Sequence, residues 1–510
     1  MNPQIEVQRL PASGPEREAL RVKGQFWTPE WVAEAMVAYA ISNDSDHVFD
    51  PAVGAGAFFR AAKKVARECG RRLALYGAEI DPDALLQAAQ DGLSPDDLGN
   101  VKITDFVLHP PPQSYDSIVA NPPYIRHHRL SSTLKSQLKA FSRQTIGATL
   151  DGRAGLHVYF LIRALQLLSA RGRLAFIMPA DTCEGVFAPI LWKWITTKYQ
   201  LEAIITFTPE ASPFPKIDTN PLIFLIRNSA PQATFKWAQV RRAGTEELKT
   251  WLAGDLAVTT NDDMHVCCRN ISEGIATGFS RPPVRDRQTR HVLADVASVL
   301  RGIATGANEF FFLTNQQAHE LNIPADFLLP AIGRTRDVTN DKITFQLLQD
   351  LDRAGRPTML FAPDGRKLES FPSSVRQYLL RGQHAGLHKR PLIAQRRPWY
   401  KMETRRVPLI LFAYLGRRNA RFIRNFAGVT PLTGFLCVYP HQEDEVFIDK
   451  LWQVLRHPET IANLHLVGKS YGQGAIKVEP RALERLPLPL SALAEAELPI
   501  RTRESQLRLL

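Results

Sequence analysis

Asn121-Pro122-Pro123-Tyr124 brings together residue types that can seize a planar ring bearing an amine and activate it. An amine on an aromatic ring is a poor nucleophile, because its lone pair is drawn into the ring. Two acceptors on its hydrogens, the Asn121 side-chain oxygen and the Pro122 carbonyl, would pull the nitrogen towards a tetrahedral shape and release that pair. The proline pair stiffens the loop, so the acceptors stay where charge develops. Tyr124 supplies a flat face on which a ring can stack. The same tetrapeptide also makes an ordinary proline-stiffened turn with Tyr124 packed beneath it, so its meaning depends on what surrounds it.

The run Tyr115–Ala120 just before the loop reads as a strand, which sets the loop at a strand's carboxyl end, where open α/β sheets bind ligands. Other β-rich runs are His47–Asp50, Leu73–Glu79, Val101–Thr104, Arg173–Met178, Leu201–Phe207 and Pro221–Arg227. Helical patterns over Ala57–Glu68, Pro82–Gln90, Leu156–Ser169 and Val186–Lys198 alternate with them, which predicts a doubly wound sheet. A polar stretch, 228–239, ends this pattern. Three of the strands end in acids: Asp50 before the glycine-rich Pro51–Phe59, Glu79 before Ile80-Asp81, and Asp105 beside Phe106. Glycine lets backbone approach a ligand closely, the second acid stands where a ribose hydroxyl pair would be held, and the third suits an adenine amine and ring face. Each acid alone is also an ordinary helix cap. The ordered series points to one nucleoside-sized cofactor.

The chain has 510 residues, 45% hydrophobic and 22% charged, enough for several buried cores. No apolar run approaches the roughly 20 residues of a membrane span, and the start lacks the basic and apolar regions of a secretion signal. Its five cysteines are scattered, consistent with reduced thiols and a cytoplasmic location. The net charge of +12 is uneven: between Arg376 and Arg424 there are 13 Lys and Arg against one acid, Glu403, with Tyr378, Trp399, Tyr400 and Phe412 interleaved. That exclusion of acids predicts a surface for a polyanion, most simply nucleic acid.

Taken in order, these segments resemble the gamma-class N6-adenine DNA methyltransferases of restriction–modification systems, of the TaqI-like sort. Gly24–Pro29 is similar to the family's amino-terminal cofactor motif, Asp50–Phe58 to the motif holding the amino-acid portion of S-adenosylmethionine, Glu79–Asp81 to the ribose motif and Asp105-Phe106 to the adenine motif. Asn121–Tyr124 resembles the catalytic motif, and Gly172–Pro179 the strand after the long helix. The resemblance implies an S-adenosylmethionine-dependent methyltransferase domain with a Rossmann-like sheet over 1–240, a connecting segment over 241–278 and a mixed α+β target-recognition domain over 279–510.

It also implies roles. Asn121, Pro122 and Tyr124 would be catalytic, with Tyr124 and Phe214 sandwiching an adenine swung out of the duplex. Phe26, Thr28, Pro29, Asp50, Pro51, Ala52, Gly54, Gly56, Phe58, Glu79, Ile80, Asp105, Phe106 and Asn121 would line the cofactor, and no metal is needed. Arg396, Arg397, Lys401, Arg405, Arg406, Arg417 and Arg418 would touch DNA. The enzyme would act as a monomer on double-stranded DNA, alongside a separate restriction endonuclease of the same specificity. One departure lies in Ala154–Phe160, where the family's Asp or Asn before Leu-Tyr is replaced, so no cofactor role is carried there. Phe207 competes with Phe214 for the stacking role, and His127-His128 suits a phosphate contact. The alternatives are an RNA or protein-glutamine methyltransferase using the same loop, and a non-catalytic DNA-binding subunit.

Overall fold

The computed structural model describes residues 27–42, 45–214, 220–282, 291–413, 420–471 and 475–498, with the backbone alone at 465, 469–471 and 475–477. They divide into two units, Met1–Pro283 and Val284–Leu510. In the first, β1 (His47–Asp50), β2 (Ala74–Glu79), β3 (Val101–Ile103), β4 (Tyr115–Ala120), β5 (Leu168–Pro179), β6 (Gln200–Phe207), β7 (Pro221–Arg227), β8 (Thr234–Val240) and β9 (Met264–Asn270) form one sheet. Their order is β3-β2-β1-β4-β5-β7-β6-β8-β9. β1 to β5 pair in parallel, and β7 runs antiparallel between β5 and β6.

Period-two alternation divides the sheet's side chains between two apolar layers. Phe49, Ile118, Ala120, Phe176, Met178 and Ile204 share one core with Val158, Leu161 and Ile162 of the helix Leu156–Leu167. Val48, Val119, Ala175, Ile177 and Ile205 share the other with the helices Glu30–Ala40 and Ala57–Glu68. Because β1, β4 and β5 run parallel, their carboxyl ends share one edge, with Asp50 closing β1 and Asn121 following β4.

The segment 241–278 is not a connector, and 228–239 does not end the regular pattern. β8 lies within the latter, and β9 pairs with it in register from Thr234–Asn270 to Val240–Met264. The helix Glu247–Ala253 buries Leu248, Trp251 and Leu252 against the second core. Strands near a sheet's edge expose one face, so their polar alternate residues hid them from a composition-based reading.

In the second unit a five-stranded sheet runs in the order Ala297–Arg301, Phe435–Pro440, Ile410–Ala413, Arg421–Asn425, Lys342–Ile343. A four-stranded sheet joins Phe312–Leu313, Met359–Phe361, Leu328–Ile332 and Thr430–Pro431. Helix Glu445–Arg456 lies against the first of these through Ile448, Leu451 and Leu455. No helix among the described residues is long and apolar enough to cross a membrane.

Candidate active site

Three acids and the proline loop meet at the carboxyl edge of β1, β2, β3 and β4. β1 and β2 pair with Asp50 opposite Gly77, which leaves Asp50 level with the glycine turn that follows it. Asp50 is fully buried. Its Oδ1 accepts from the Ala52 N–H at 3.0 Å, while Oδ2 has no hydrogen-bond partner among the described residues. Burial pushes its pKa up to about 8; the Ala52 N–H opposes this and the charge of Glu79 adds to it. A buried carboxylate oxygen with no donor is suited to an incoming cation.

Glu79 ties the loops together. Its Oε2 accepts from the Gly54 N–H at 2.8 Å, and its Oε1 accepts from Ile80 and Asp81 N–H, each at 2.9 Å. Gly54 and Gly56 hold φ of +54° and +80°, a left-handed turn that a side chain would strain. A Cβ at Gly56 would come within 2.3 Å of Leu93 Cδ1. Ile80, 69% exposed, presents an apolar surface beside the Glu79 carboxylate. Asp105 Oδ1 accepts from Val107 and Leu108 N–H at 2.9 and 3.0 Å.

In the proline loop, Asn121 Nδ2 donates to Thr28 Oγ1 at 3.1 Å. With the nitrogen committed there, the amide oxygen is set on the opposite branch. Thr28 is buried, just ahead of the helix Glu30–Ala40, whose Pro29 stands at the cap. No described donor occupies the Pro122 carbonyl. The Tyr124 hydroxyl donates to Ile177 O of β5 at 2.9 Å, and His157 meets the ring edge-on, with centroids 5.9 Å apart and planes at 74°. Burial, with the charge of Asp181 added, raises the phenol well above its ordinary pKa. His157 is itself buried, with its Nε2 3.7 Å from Asp181. Burial lowers its pKa against the opposing pull of Asp181, which favours the neutral imidazole. The Ile125 carbonyl accepts from Leu156 N–H at 3.0 Å, which pins the loop to the helix Leu156–Leu167.

Three expected site residues lie elsewhere. The Phe58 ring is buried within the core on the helix side of the sheet. Phe106 is 2% exposed and packs against Phe49 and Phe160, with centroids 5.8 and 5.3 Å away, so Asp105 reaches the edge while its neighbour points into the core. Phe214 is 4% exposed and belongs to the apolar layer, so as folded it presents no broad face for stacking. Its rival Phe207 is half-buried against Trp31, edge to face at 6.0 Å. Pro51 is buried and Ala52 half-buried in the turn itself. Phe26 lies outside the described residues. Two side chains position the loop from distant segments. Thr28, expected among the cofactor residues, also accepts from Asn121 across 93 positions of sequence. His157 fell in the one segment already seen to depart from the family pattern.

The basic stretch of the second unit is only partly a surface. Arg396, over the Phe311 ring, donates to the carbonyls of Ala304 and Thr305 at 2.6 and 2.8 Å. Arg424 is buried and holds Glu445 and Asp449 at 2.6 and 3.2 Å, fastening the helix Glu445–Arg456 to its sheet. Arg396 therefore leaves the set of expected DNA contacts, and Arg424 adds nothing to the exposed charge of the run, because guanidinium forks satisfy loop carbonyls and acids that burial would otherwise leave unpaired. Arg405 is held by Glu403 at 2.6 Å and by Arg301 O, and Arg406 pairs with Glu443. Arg397, bonded to Ala394 O at 2.6 Å, and Lys401 remain exposed. Arg417 and Arg418 lie outside the described residues. No cluster of three or more His, Cys, Asp or Glu suited to a metal occurs among the described residues.

Residues 16–236 match the family model described as N-6 DNA Methylase, and residues 283–508 match that of the C-terminal domain of Type II methyltransferase M.Eco57I. Type II methyltransferase M.AccI of Acinetobacter calcoaceticus is 25% identical over 466 residues, covering 90% of this chain and 84% of that protein. Type II methyltransferase M.XamI of Xanthomonas campestris pv. amaranthicola is 23% identical over 481 residues, covering 91% and 85%. Among solved structures, the Type IIL restriction-modification enzyme MmeI in complex with DNA superposes with a TM-score of 0.51 at 13% identity, over 96% of this chain and 66% of the longer MmeI chain. That likeness is one of fold.

Proposed function

The chain belongs to the N6-adenine DNA methyltransferase family of restriction–modification systems, and from that premise we propose that it methylates the N6 amine of one adenine, flipped out of a short duplex sequence, as a gamma-class enzyme. The observation that carries this reading is the Asn121–Tyr124 loop, standing on the same sheet edge as Asp50, Glu79 and Asp105. S-adenosylmethionine, when bound, supplies a methyl group made electrophilic by its sulfonium. Asp50, with its buried oxygen lacking a donor, would hold the methionine ammonium; Glu79 would take the ribose hydroxyls; Asp105 and the exposed Ile80 would bracket the adenine.

Within this chain, Asn121 Oδ1 and the Pro122 carbonyl would accept the two amine hydrogens, and Tyr124, steadied by Ile177 and His157, would stack the base. The freed lone pair would make the amine nitrogen the nucleophile for that methyl group, with one of the hydrogens held by these two acceptors released to solvent as a proton. Orientation and fixed acceptors supply the acceleration. Phe214 could join the sandwich only after its segment opens, so Phe214→Leu reads whether that happens. The second unit would recognise the sequence, with Arg397 and Lys401 among its exposed cations and Arg417 and Arg418 in the same run of sequence. The biological role would be protection of host DNA from a cognate endonuclease.

The test is modification-sensitive long-read sequencing of DNA from a methylation-free host expressing the chain, with Asn121→Ala beside it. One methylated-adenine motif, absent with the variant, is expected. DNA without any modified base, despite folded and cofactor-binding protein, would turn the search to RNA, protein or a missing subunit. A second expectation concerns the hydroxyl at position 28. Thr28→Val removes the acceptor that orients Asn121 and should lower kcat by about 10-fold, the cost of losing one hydrogen bond of about 1.4 kcal/mol. Thr28→Ser should restore most of it. A Val variant that loses only S-adenosylmethionine affinity would assign Thr28 to the cofactor alone.

A further inference from the structure

From Ser117 to Leu150 the chain has no Asp or Glu, yet it carries Arg126, Arg129, Lys135, Lys139 and Arg143, together with His127 and His128. This stretch begins in β4, passes through the proline loop and ends beyond the helix Ser132–Ile146. The helix is anchored by its apolar side: Leu138 and Phe141 are buried, and Leu134 and Ile146 pack against the same core. Ser131 caps its start through the Leu134 N–H at 3.2 Å, and Gln166 Nε2 reaches Thr145 at 3.2 Å from the neighbouring helix.

Lys135, Lys139 and Arg143 recur every fourth residue, so they follow one flank in steps of about 6 Å. Lys139 and Arg143 are exposed and Lys135 half-exposed. Among the described residues none of the three makes an ion pair; Arg143 donates only to Thr149 Oγ1, at 3.2 Å. The nearest acid in sequence, Asp151, is held by Arg153 at 2.8 Å. Solvated helix faces ordinarily alternate charge, because like charges at i and i+4 repel. Here the repulsion is left uncompensated within the first unit, and the row begins eleven residues after Tyr124.

We propose that this flank is a DNA-backbone grip in the catalytic unit, with Lys135, Lys139 and Arg143 taking phosphates beside the target base. It is separate from the basic stretch of the second unit, and it rests on the reading of the first unit as a duplex-DNA methyltransferase. Its work would be to hold the strand while the base is out of the stack, without reading sequence.

The test uses the full chain with Lys135→Gln, Lys139→Gln and Arg143→Gln combined. A charge-matched control carries Arg67→Gln, Lys102→Gln and Lys193→Gln, three exposed cations elsewhere in the same unit. Duplex binding is titrated across salt concentrations, and S-adenosylmethionine affinity and melting temperature are followed in parallel. The grip predicts DNA affinity weaker by about 10- to 100-fold near 0.15 M salt and a log–log salt slope shallower by about 2 to 3, on target and non-target duplexes alike. Cofactor affinity and melting should stay as in the parent, and the control should move the slope by less than 1. A parent-like slope in the folded triple variant overturns the grip and leaves the methyltransferase reading standing. An unaltered parent chain with no salt-dependent duplex binding overturns both.

Discussion

Asn121→Ala should cut the methylation rate of the target duplex by about 10³-fold, with the affinities for S-adenosylmethionine and DNA within a few-fold of the parent. The split follows from when the interaction is made. In the ground state the amine is nearly planar, and its hydrogens accept any polar surroundings. As nitrogen gives up its lone pair those hydrogens become more acidic, so bonds to Asn121 Oδ1 and the Pro122 carbonyl strengthen on the way to the transition state. Removing one acceptor therefore lowers kcat and leaves KM largely alone. The backbone acceptor cannot be mutated away, and the stiff Pro122-Pro123 pair keeps it in place in the variant, which is why a residual rate should survive. Single-turnover kinetics at saturating DNA read this directly. A variant with parental kcat and a raised KM would make Asn121 a binding residue and leave activation of the amine to the backbone.

How far the site could be read in advance depended on whether its parts are local in sequence. β1, β7 and the helices Ala57–Glu68 and Pro82–Gln90 have the limits their patterns predicted, because strands buried on both faces are continuous apolar runs and the helices begin at a glycine turn or a capping acid. Asp50, Glu79 and Asp105 stand at strand ends for the same reason. β8 and β9 were lost because a half-exposed strand dilutes its apolar signal with residues such as Lys236, Gln239 and Cys268. Phe58, Phe106 and Phe214 show a different limit. A motif names a residue type, but whether its ring faces the ligand or the core depends on the neighbouring side chains, and Phe49 and Phe160 claim Phe106. The link from Thr28 to Asn121 and the seat of His157 against Tyr124 leave no trace in spacing, since each joins distant segments. The basic run of the second unit misled in a similar way. Charge counted along a chain does not separate Arg424, sealed in a salt bridge, from Lys401 at the surface.

The second large effect lies at Asp50. Its ordinary carboxyl pKa, near 4, is pushed up to about 8 in the fold, chiefly by burial. A folded value above the unfolded one means that between these two pH values the folded chain holds a proton that the unfolded chain has released. Stability contributed by this group is therefore full below pH 4, falls as pH rises towards 8, and levels off beyond. Asp50→Asn cannot ionise, so the ligand-free variant should lack this decline. The difference in unfolding free energy between variant and parent should move in the variant's favour by a few kcal/mol from pH 4 to pH 8. Cofactor affinity should move the other way. If Asp50 Oδ2 receives the methionine ammonium, the Asn variant offers no charge there and should bind S-adenosylmethionine about 10²-fold more weakly. The parent, by contrast, should gain in stability at pH 8 on adding the cofactor, because a facing cation draws the carboxyl pKa back down. Melting curves across pH, with and without S-adenosylmethionine, carry both readings. Parent and variant curves that run parallel across pH would mean that Asp50 is already ionised in the ligand-free fold. Equal cofactor affinities would reduce the residue to a brace for the Ala52 turn. Opposite movements of stability and affinity would show that the strained acid is the binding determinant, destabilising the empty site because it is built for a positive charge.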